Sequence, residues 1–152
     1  MNRSTEKNIP KIEESLIVRK EKWQNFHLLG FESSHITANA HPGQFLMVKI
    51  SSQSHPLLRR PFSIHSTEGN ITEIFFKETG FGTGLLAQKK IGENINVFGP
   101  LGKGFDLNKE LFKKKIALIG GGRGVAPLYF LACRLKDLSA DITLYYGGKT
   151  AD

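Results

Sequence analysis

The chain has 152 residues, a formal net charge of +7 and 39% hydrophobic residues. That length allows one ordinary domain, or a small domain plus part of a second, with a core that needs no disulfide or metal staple. A single cysteine excludes an internal disulfide framework and any four-cysteine zinc or iron–sulfur site built from this chain alone.

Charged residues make up 23% of the sequence, close to the globular average, which argues against wholesale disorder. The cations are scattered, apart from Lys113-Lys114-Lys115, which reads as a solvated linker before an apolar strand. The basic balance alone admits nucleic acid, an anionic surface or a phosphorylated ligand, and the scatter gives nucleic acid little support. The start, "MNRSTEKNIPKIEES", is polar, and no run approaches the roughly 18 apolar residues of a membrane span, so a soluble cytoplasmic protein is expected.

In chain order, residues 1–11 read as a loose arm. Glu13 to Phe31 holds two short strand-like stretches rich in β-branched and aromatic residues. In "HPGQFLMVKI", Pro42-Gly43 makes a turn and Gln44 to Ile50 a strand. "PFSIHS" is the next strand, Gly69-Asn70 a hairpin turn, "ITEIFFKE" a largely buried strand, and "NINVFGP" another, closed by Pro100. Strands at this spacing predict a small antiparallel barrel over residues 12–105. One helix interrupts it, "TGLLAQKK" from Thr83 to Lys90, with two lysines suited to its negative end.

After Phe105 the pattern changes. "KKKIALIG" is a continuous apolar strand, "GGRG" a glycine turn, "VAPLYFLACRLK" a helix-period segment and "DITLYYGG" a second buried strand. This is β–α–β, the opening unit of a doubly wound sheet, over residues 106–152. Two parallel strands cannot cover their own faces, so the expectation is an incomplete nucleotide-binding domain, from a fragment of a longer protein or a truncated gene. Cys133, set in an apolar pattern, is expected in the core, and Trp23 is expected to pack on the barrel.

Three segments could carry chemistry. In "RRPFS", Arg60 offers a rigid donor fork for a phosphate, Pro61 fixes the backbone, Phe62 presents a flat face and Ser63 a small donor and acceptor. Together these suit a dinucleotide flavin; the plain alternative is a barrel strand with an exposed basic start. In "KETGFGTGLLAQ", a helix start after glycines leaves backbone N–H groups free for a pyrophosphate at Gly82 and Thr83, with Thr83 also a helix cap. The alternative there is a capped helix with no ligand. In "IGGGRGVAPL", glycines between strand and helix form a close-approach platform for a nucleotide, with Gly120, Gly122 and Ala126 in the nearest slots of an imperfect G-x-G-x-x-G pattern. A tight turn without ligand is again the alternative. The five histidines, 27, 35, 41, 55 and 65, show no metal-ligand spacing, and His65 reads as an ordinary barrel histidine that could lie near a flavin.

"PGQFLMV", "LLRRPFSI", "GFGTGLLAQKKIGENINVFGPLGKGF" and "GGGRGVAPLYFLA" resemble the ferredoxin-reductase-type flavoprotein family from about Glu13 onward. Within it they are most similar to the electron-transfer subunits that serve bacterial dihydroorotate dehydrogenase in pyrimidine biosynthesis. The resemblance implies an FAD-binding barrel followed by an NAD-binding domain, with NADH as electron donor. It implies that Arg60 holds the FAD pyrophosphate and that Pro61, Phe62 and Ser63 flank the isoalloxazine. The backbone of Phe75, Phe76 and Lys77 would line the other side, and Gly82 and Thr83 would cap the phosphates. Gly120, Gly121, Gly122, Gly124 and Pro127 match the nicotinamide-side loop, and "GPLGKGF" would close the link between domains. Two departures stand out: Arg123 occupies a slot usually aliphatic in that family, and the cysteines of the family's [2Fe–2S] centre are absent from this chain.

The sequence therefore reads as a flavoprotein oxidoreductase component that passes electrons from NADH through FAD to a catalytic partner subunit, with no side chain required as acid or base. Its rivals are another NAD(P)H reductase of the same family, a non-catalytic interaction subunit that keeps the barrel but not the nucleotide, and a basic barrel that binds RNA or single-stranded DNA.

Overall fold

The computed structural model describes residues 9–51 and 55–148. Its first part is a closed six-stranded barrel of β1 (Lys11–Trp23), β2 (Phe26–Glu32), β3 (Phe45–Lys49), β4 (Arg60–Glu68), β5 (Ile71–Lys77) and β6 (Asn94–Leu101). The strands close in the order β1-β2-β5-β4-β3-β6, and every neighbouring pair is antiparallel. Side chains that alternate inward along the strands fill it. Ile17, Leu29, Phe31, Leu46, Val48, Ile64, Ile74, Ile95 and Val97 are all at most 1% exposed and share one cluster. Residues 1–8 of the expected arm lie outside the described residues, and Lys11 and Ile12 pair with Gly99 and Phe98 of β6.

Two helices interrupt the barrel. The first, α1 (Ser34–Asn39), was not expected from the sequence: it is a six-residue helix with one buried residue, Ile36, too short to display a period. Its N-cap Ser33 gives no capping signal either, because its hydroxyl bonds Thr72 Oγ1 at 2.7 Å rather than the helix. The second, α2 (Phe81–Gln88), starts two residues before the expected Thr83 and ends at Gln88, so neither Lys89 nor Lys90 lies in its last turn. The cation at its negative end is Lys20 of β1, whose Nζ donates to the carbonyls of Ala87 and Lys89, each at 2.6 Å. Lys89 Nζ instead donates to Asn94 O.

The second part is a parallel pair, β7 (Lys115–Gly121) and β8 (Asp141–Gly147), joined through α3 (Ala126–Asp137). It is the expected β–α–β unit. A small cluster of Leu118, Leu131 and Leu135 lies between the strands and the helix. Phe130, also on α3, is 2% exposed and packs within the barrel cluster instead. Lys113, Lys114 and Lys115 are exposed, as expected of a solvated run.

Three expectations fail here. The second strand of the unit, expected to be buried, is exposed along β8 apart from a half-buried Ile142, because α3 covers only one face of a two-stranded pair. Cys133 is exposed, because the buried face of α3 is spent on Phe130, Leu131 and Leu135, and position 133 falls outside it. Trp23, at the end of β1, is 50% exposed rather than packed on the barrel.

If Lys20 supplies the C-terminal partners of α2, replacing it by Met should lower stability by about 1–2 kcal/mol, since two charge-assisted bonds are lost at a half-buried site. Thermal unfolding of Lys20→Met beside the exposed-site control Lys90→Met checks this; equal midpoints for the two variants would refute it.

Candidate functional site

The segment Arg60–Ser63 opens β4, and strand geometry sorts it. Phe62 and Ile64 point inward, at 8% and 0% exposure, whereas Pro61 and Ser63 point outward. Phe62 therefore does not present a free stacking face: its ring packs edge-on to Phe76 within the core, with centroids 5.4 Å apart. Outside this wall is a cleft of about 280 Å³ lined by Arg60, Pro61, Phe62, Ser63, Phe75, Phe76, Lys77, Thr83, Arg123 and Ala126. Eight of these are residues the sequence singles out for a nucleotide cofactor. They come from β4, β5 and the start of α2, separated by up to two dozen residues in the chain and brought together by the β4–β5 pairing.

Three cations and no carboxylate are among the described residues lining this cleft. Arg60 Nη1 donates to Leu58 O at 3.1 Å, and its Nε lies at the start of α2, where a Cβ added to Gly82 would sit 3.5 Å away. An added Cβ there would make ordinary van der Waals contact with the guanidinium. Lys77 leans on the Phe26 ring, 5.2 Å from its centroid. The cap of α2 is the reverse of the one expected: Gly80 is the N-cap, and Thr83 sits at the third helical position. Thr83 Oγ1 accepts from the backbone N–H of Thr79 and Gly80, at 2.9 and 3.1 Å. That leaves the N–H groups of the helix's own first turn without intrahelical acceptors, the donors an anion takes at a helix start. A cleft with cations, free amide donors and apolar ring walls fits a flat anionic ligand such as a dinucleotide flavin. A wider groove of about 660 Å³ also borders the start of α2, but it holds the carboxylate of Glu78 and nothing of "RRPFS".

The glycine turn makes the far rim. Gly120, Gly121, Gly122, Gly124 and Pro127 do not line the cleft; Arg123 and Ala126 of the same turn do. Gly120 packs closely, since a Cβ there would come within 2.8 Å of Leu128 Cδ1 and displace that side chain, and Gly122 sits at φ +50° with open space around it. "GPLGKGF" closes back on the Pro42-Gly43 turn: Phe105 N–H donates to Pro42 O at 2.8 Å, and Gln44 Nε2 donates to Gly102 O at 2.8 Å.

His65 is the functional-site residue the sequence underrated. It does not face the barrel core. Register passes from Ile64↔Ile74 to Ser66↔Glu73, so His65 is the extra residue of a β-bulge, which re-aims its side chain. Its Nδ1 bonds the carbonyl of Ala126 at 2.8 Å, which assigns the proton to Nδ1. Its ring stacks on Tyr129 of α3 at 4.7 Å and leans on Phe75 at 5.6 Å, and Phe75 in turn stacks on Phe26 at 5.6 Å. Burial pushes the imidazole below its ordinary range, against the opposing pull of the Ala126 bond and the Glu73 carboxylate.

No protein-family model matches the sequence. The electron transfer subunit of dihydroorotate dehydrogenase B (NAD(+)) from Desulforamulus reducens is 39% identical over 127 residues, which is 82% of this chain and 48% of that protein. The subunit of the same name from a Geobacillus species is 43% identical over 113 residues, 73% of this chain and 44% of that one. The solved NADH-dependent reduced ferredoxin-NADP oxidoreductase superposes with a TM-score of 0.79 at 29% identity, covering 91% of this chain and 49% of that chain. The ferredoxin reductase of carbazole 1,9a-dioxygenase shares the fold, with a TM-score of 0.76 at 20% identity over 93% of this chain and 44% of that one. The homologues are thus dihydroorotate dehydrogenase electron transfer subunits, the structural neighbours are ferredoxin-reductase-type flavoproteins, and the barrel with its partial nucleotide domain is the shared fold. The chain spans about half the length of these relatives. Among the described residues no helix is long and apolar enough to cross a membrane.

Because the folded state resists protonating His65, stability should be complete above the ordinary histidine value of 6.5 and fall as the pH drops from there toward the lowered value. His27, which burial also lowers, adds to the same loss. His65→Phe should flatten part of the acid-side fall in the thermal midpoint; an undiminished fall would refute the assignment.

Proposed function

We propose that this homologue of the dihydroorotate dehydrogenase electron transfer subunits holds FAD in the β4–β5–α2 cleft and takes electrons from NADH for delivery to a catalytic partner subunit in the cytoplasm. The observation that carries the reading is the convergence of "RRPFS", Phe75-Phe76-Lys77 and Thr83 on one cation-lined cleft. In this reading Arg60 and the free N–H groups at the start of α2 hold the pyrophosphate. A guanidinium fork suits phosphate, and glycine at position 82 keeps the backbone approachable. Pro61 and Ser63 flank the ring from β4, while Phe75 with the backbone of Phe76 and Lys77 bounds it from β5. Residues 12–105 would form the flavin domain and the remainder the start of the NAD-binding domain, with Gly120, Gly121, Gly122, Gly124 and Pro127 shaping the nucleotide-side turn.

When bound, FAD supplies hydride acceptance and stepwise electron release; the chain's residues bind it, orient its ring and shield it from water. A four-thiolate [2Fe–2S] centre does not fit the residues of this chain, since Cys133 is its single cysteine. Onward transfer through such a centre would need ligands from outside it.

An absorption spectrum of the purified protein, taken anaerobically before and after NADH, tests the reading. A bound flavin spectrum that NADH bleaches supports both the FAD site and the NADH role. Bleaching by dithionite alone supports the FAD site and removes the NADH role for this chain. A colourless protein that free FAD cannot colour overturns the proposal. Arg60→Ala should retain the fold and weaken FAD binding by roughly tenfold or more, the worth of a charge-assisted bond to phosphate; flavin content and circular dichroism read the two effects separately.

A further inference from the structure

Arg123 is unexplained by the reading so far. It sits at the tip of the glycine turn and lines the flavin cleft. No hydrogen bond or ion pair to its side chain is found among the described residues, and the residue is exposed. Arg60 and Lys77, the other cations of the cleft, have partners: Leu58 O for Arg60 and the Phe26 ring for Lys77.

The placement of Arg123 is not left to its loop. Gly122–Val125 is one turn of 3₁₀ helix, closed by the Ala126 N–H donating to Arg123 O. The carbonyl of the same Ala126 accepts from His65 Nδ1 at 2.8 Å. One residue, Ala126, therefore links the imidazole on β4 to the backbone of Arg123. His65 is itself held between Tyr129 of α3 and Phe75 of β5, and Phe75 lines the cleft. The turn that carries Arg123 is thus tied through His65 to the wall that Phe75 lines, whereas Arg60 and Thr83 mark the end at the start of α2.

On the reading that FAD occupies this cleft, we infer that Arg123 sets the redox poise of the flavin by lending positive charge to its reduced ring, with His65 as the positioning residue that holds it there. A flavin that takes up two electrons and one proton gains one negative charge. A cation fixed beside the ring stabilises that form over the neutral oxidised one and raises the reduction potential. Phosphate binding at the other end of the cleft is served by Arg60 without it.

The test is the midpoint potential of FAD bound to the full chain, titrated with dithionite against a reference dye, in wild type, Arg123→Leu, Arg123→Lys and His65→Phe. Flavin content is measured first. Arg123→Leu should still hold FAD and lose about tenfold of its preference for the reduced form, a potential about 30 mV more negative for a two-electron couple. Arg123→Lys should restore part of the shift, since charge and not the fork is required. His65→Phe keeps a stacking ring but removes the bond to Ala126, and should shift the potential in the same direction. An unchanged potential in Arg123→Leu at equal flavin content overturns the inference, as does loss of FAD from that variant, which would make Arg123 a phosphate ligand. A shift in Arg123→Leu with none in His65→Phe overturns the positioning role. Wild type that takes up no FAD overturns the flavin reading itself and this inference with it, an outcome distinct from all the others.

Discussion

Phe130 belongs to α3, beyond the last strand of the barrel, yet it is 2% exposed and packs inside the barrel's own cluster. Burying that ring is worth about 2–3 kcal/mol, and it presses the first turns of α3 against β4. This contact seats the far rim of the cleft. Ala126 and Arg123 form its far rim only while α3 is seated, and the bond from His65 to Ala126 then fixes how the turn is presented. An apolar anchor supplies the energy of docking, and one polar bond supplies its direction.

The near wall is governed by a different constraint, the alternation of β4. Phe62 and Ile64 must fill the barrel, so Pro61 and Ser63 must face out, and the pairing of β4 with β5 lays Phe75 beside them. The same strand then breaks its own rule. The bulge at His65 gives β4 an extra residue, which turns an imidazole toward α3 where strict alternation with an even ladder would only repeat the pattern. A row of four rings, Phe26, Phe75, His65 and Tyr129, results, running from β2 across β5 and β4 to the helix. Regularity makes the wall, and one irregularity ties the second part of the chain to it.

The same logic separates the two sheets of the molecule. The barrel closes, leaving no edge, and buried apolar side chains fill its interior. The β7–β8 pair is covered on one side by α3, while Ile119, Leu144, Tyr145 and Tyr146 are each at least half exposed. Relatives that match this chain over most of its length are about twice as long. The well-buried part of this chain is therefore the part that builds the cleft, and the sparsely covered part contributes to it mainly through a turn.

Much of this was legible in the sequence. Alternating apolar residues, Gly69-Asn70 and the glycines of "IGGGRG" suffice for the barrel strands, one hairpin and the β–α–β order, because strand period and turn chemistry are local properties of the chain. The motif residues of β4, β5 and α2 were legible as types suited to a phosphate and a flat ring. What was not legible depends on contacts between distant segments. The six-residue α1 has no period to read, and the cation at the end of α2 comes from Lys20, 67 residues before Ala87. Phe62 looks like a stacking ring until the barrel closes over it, and Cys133 looks like a core thiol until α3 chooses its buried face. His65 reads as one more barrel residue, since a bulge leaves no mark in composition or spacing. Local chemistry thus determined the elements and the kinds of group at the site; only tertiary packing decided which of those groups face one another, because alternation, bulges and helix docking assign direction to side chains whose identity alone does not.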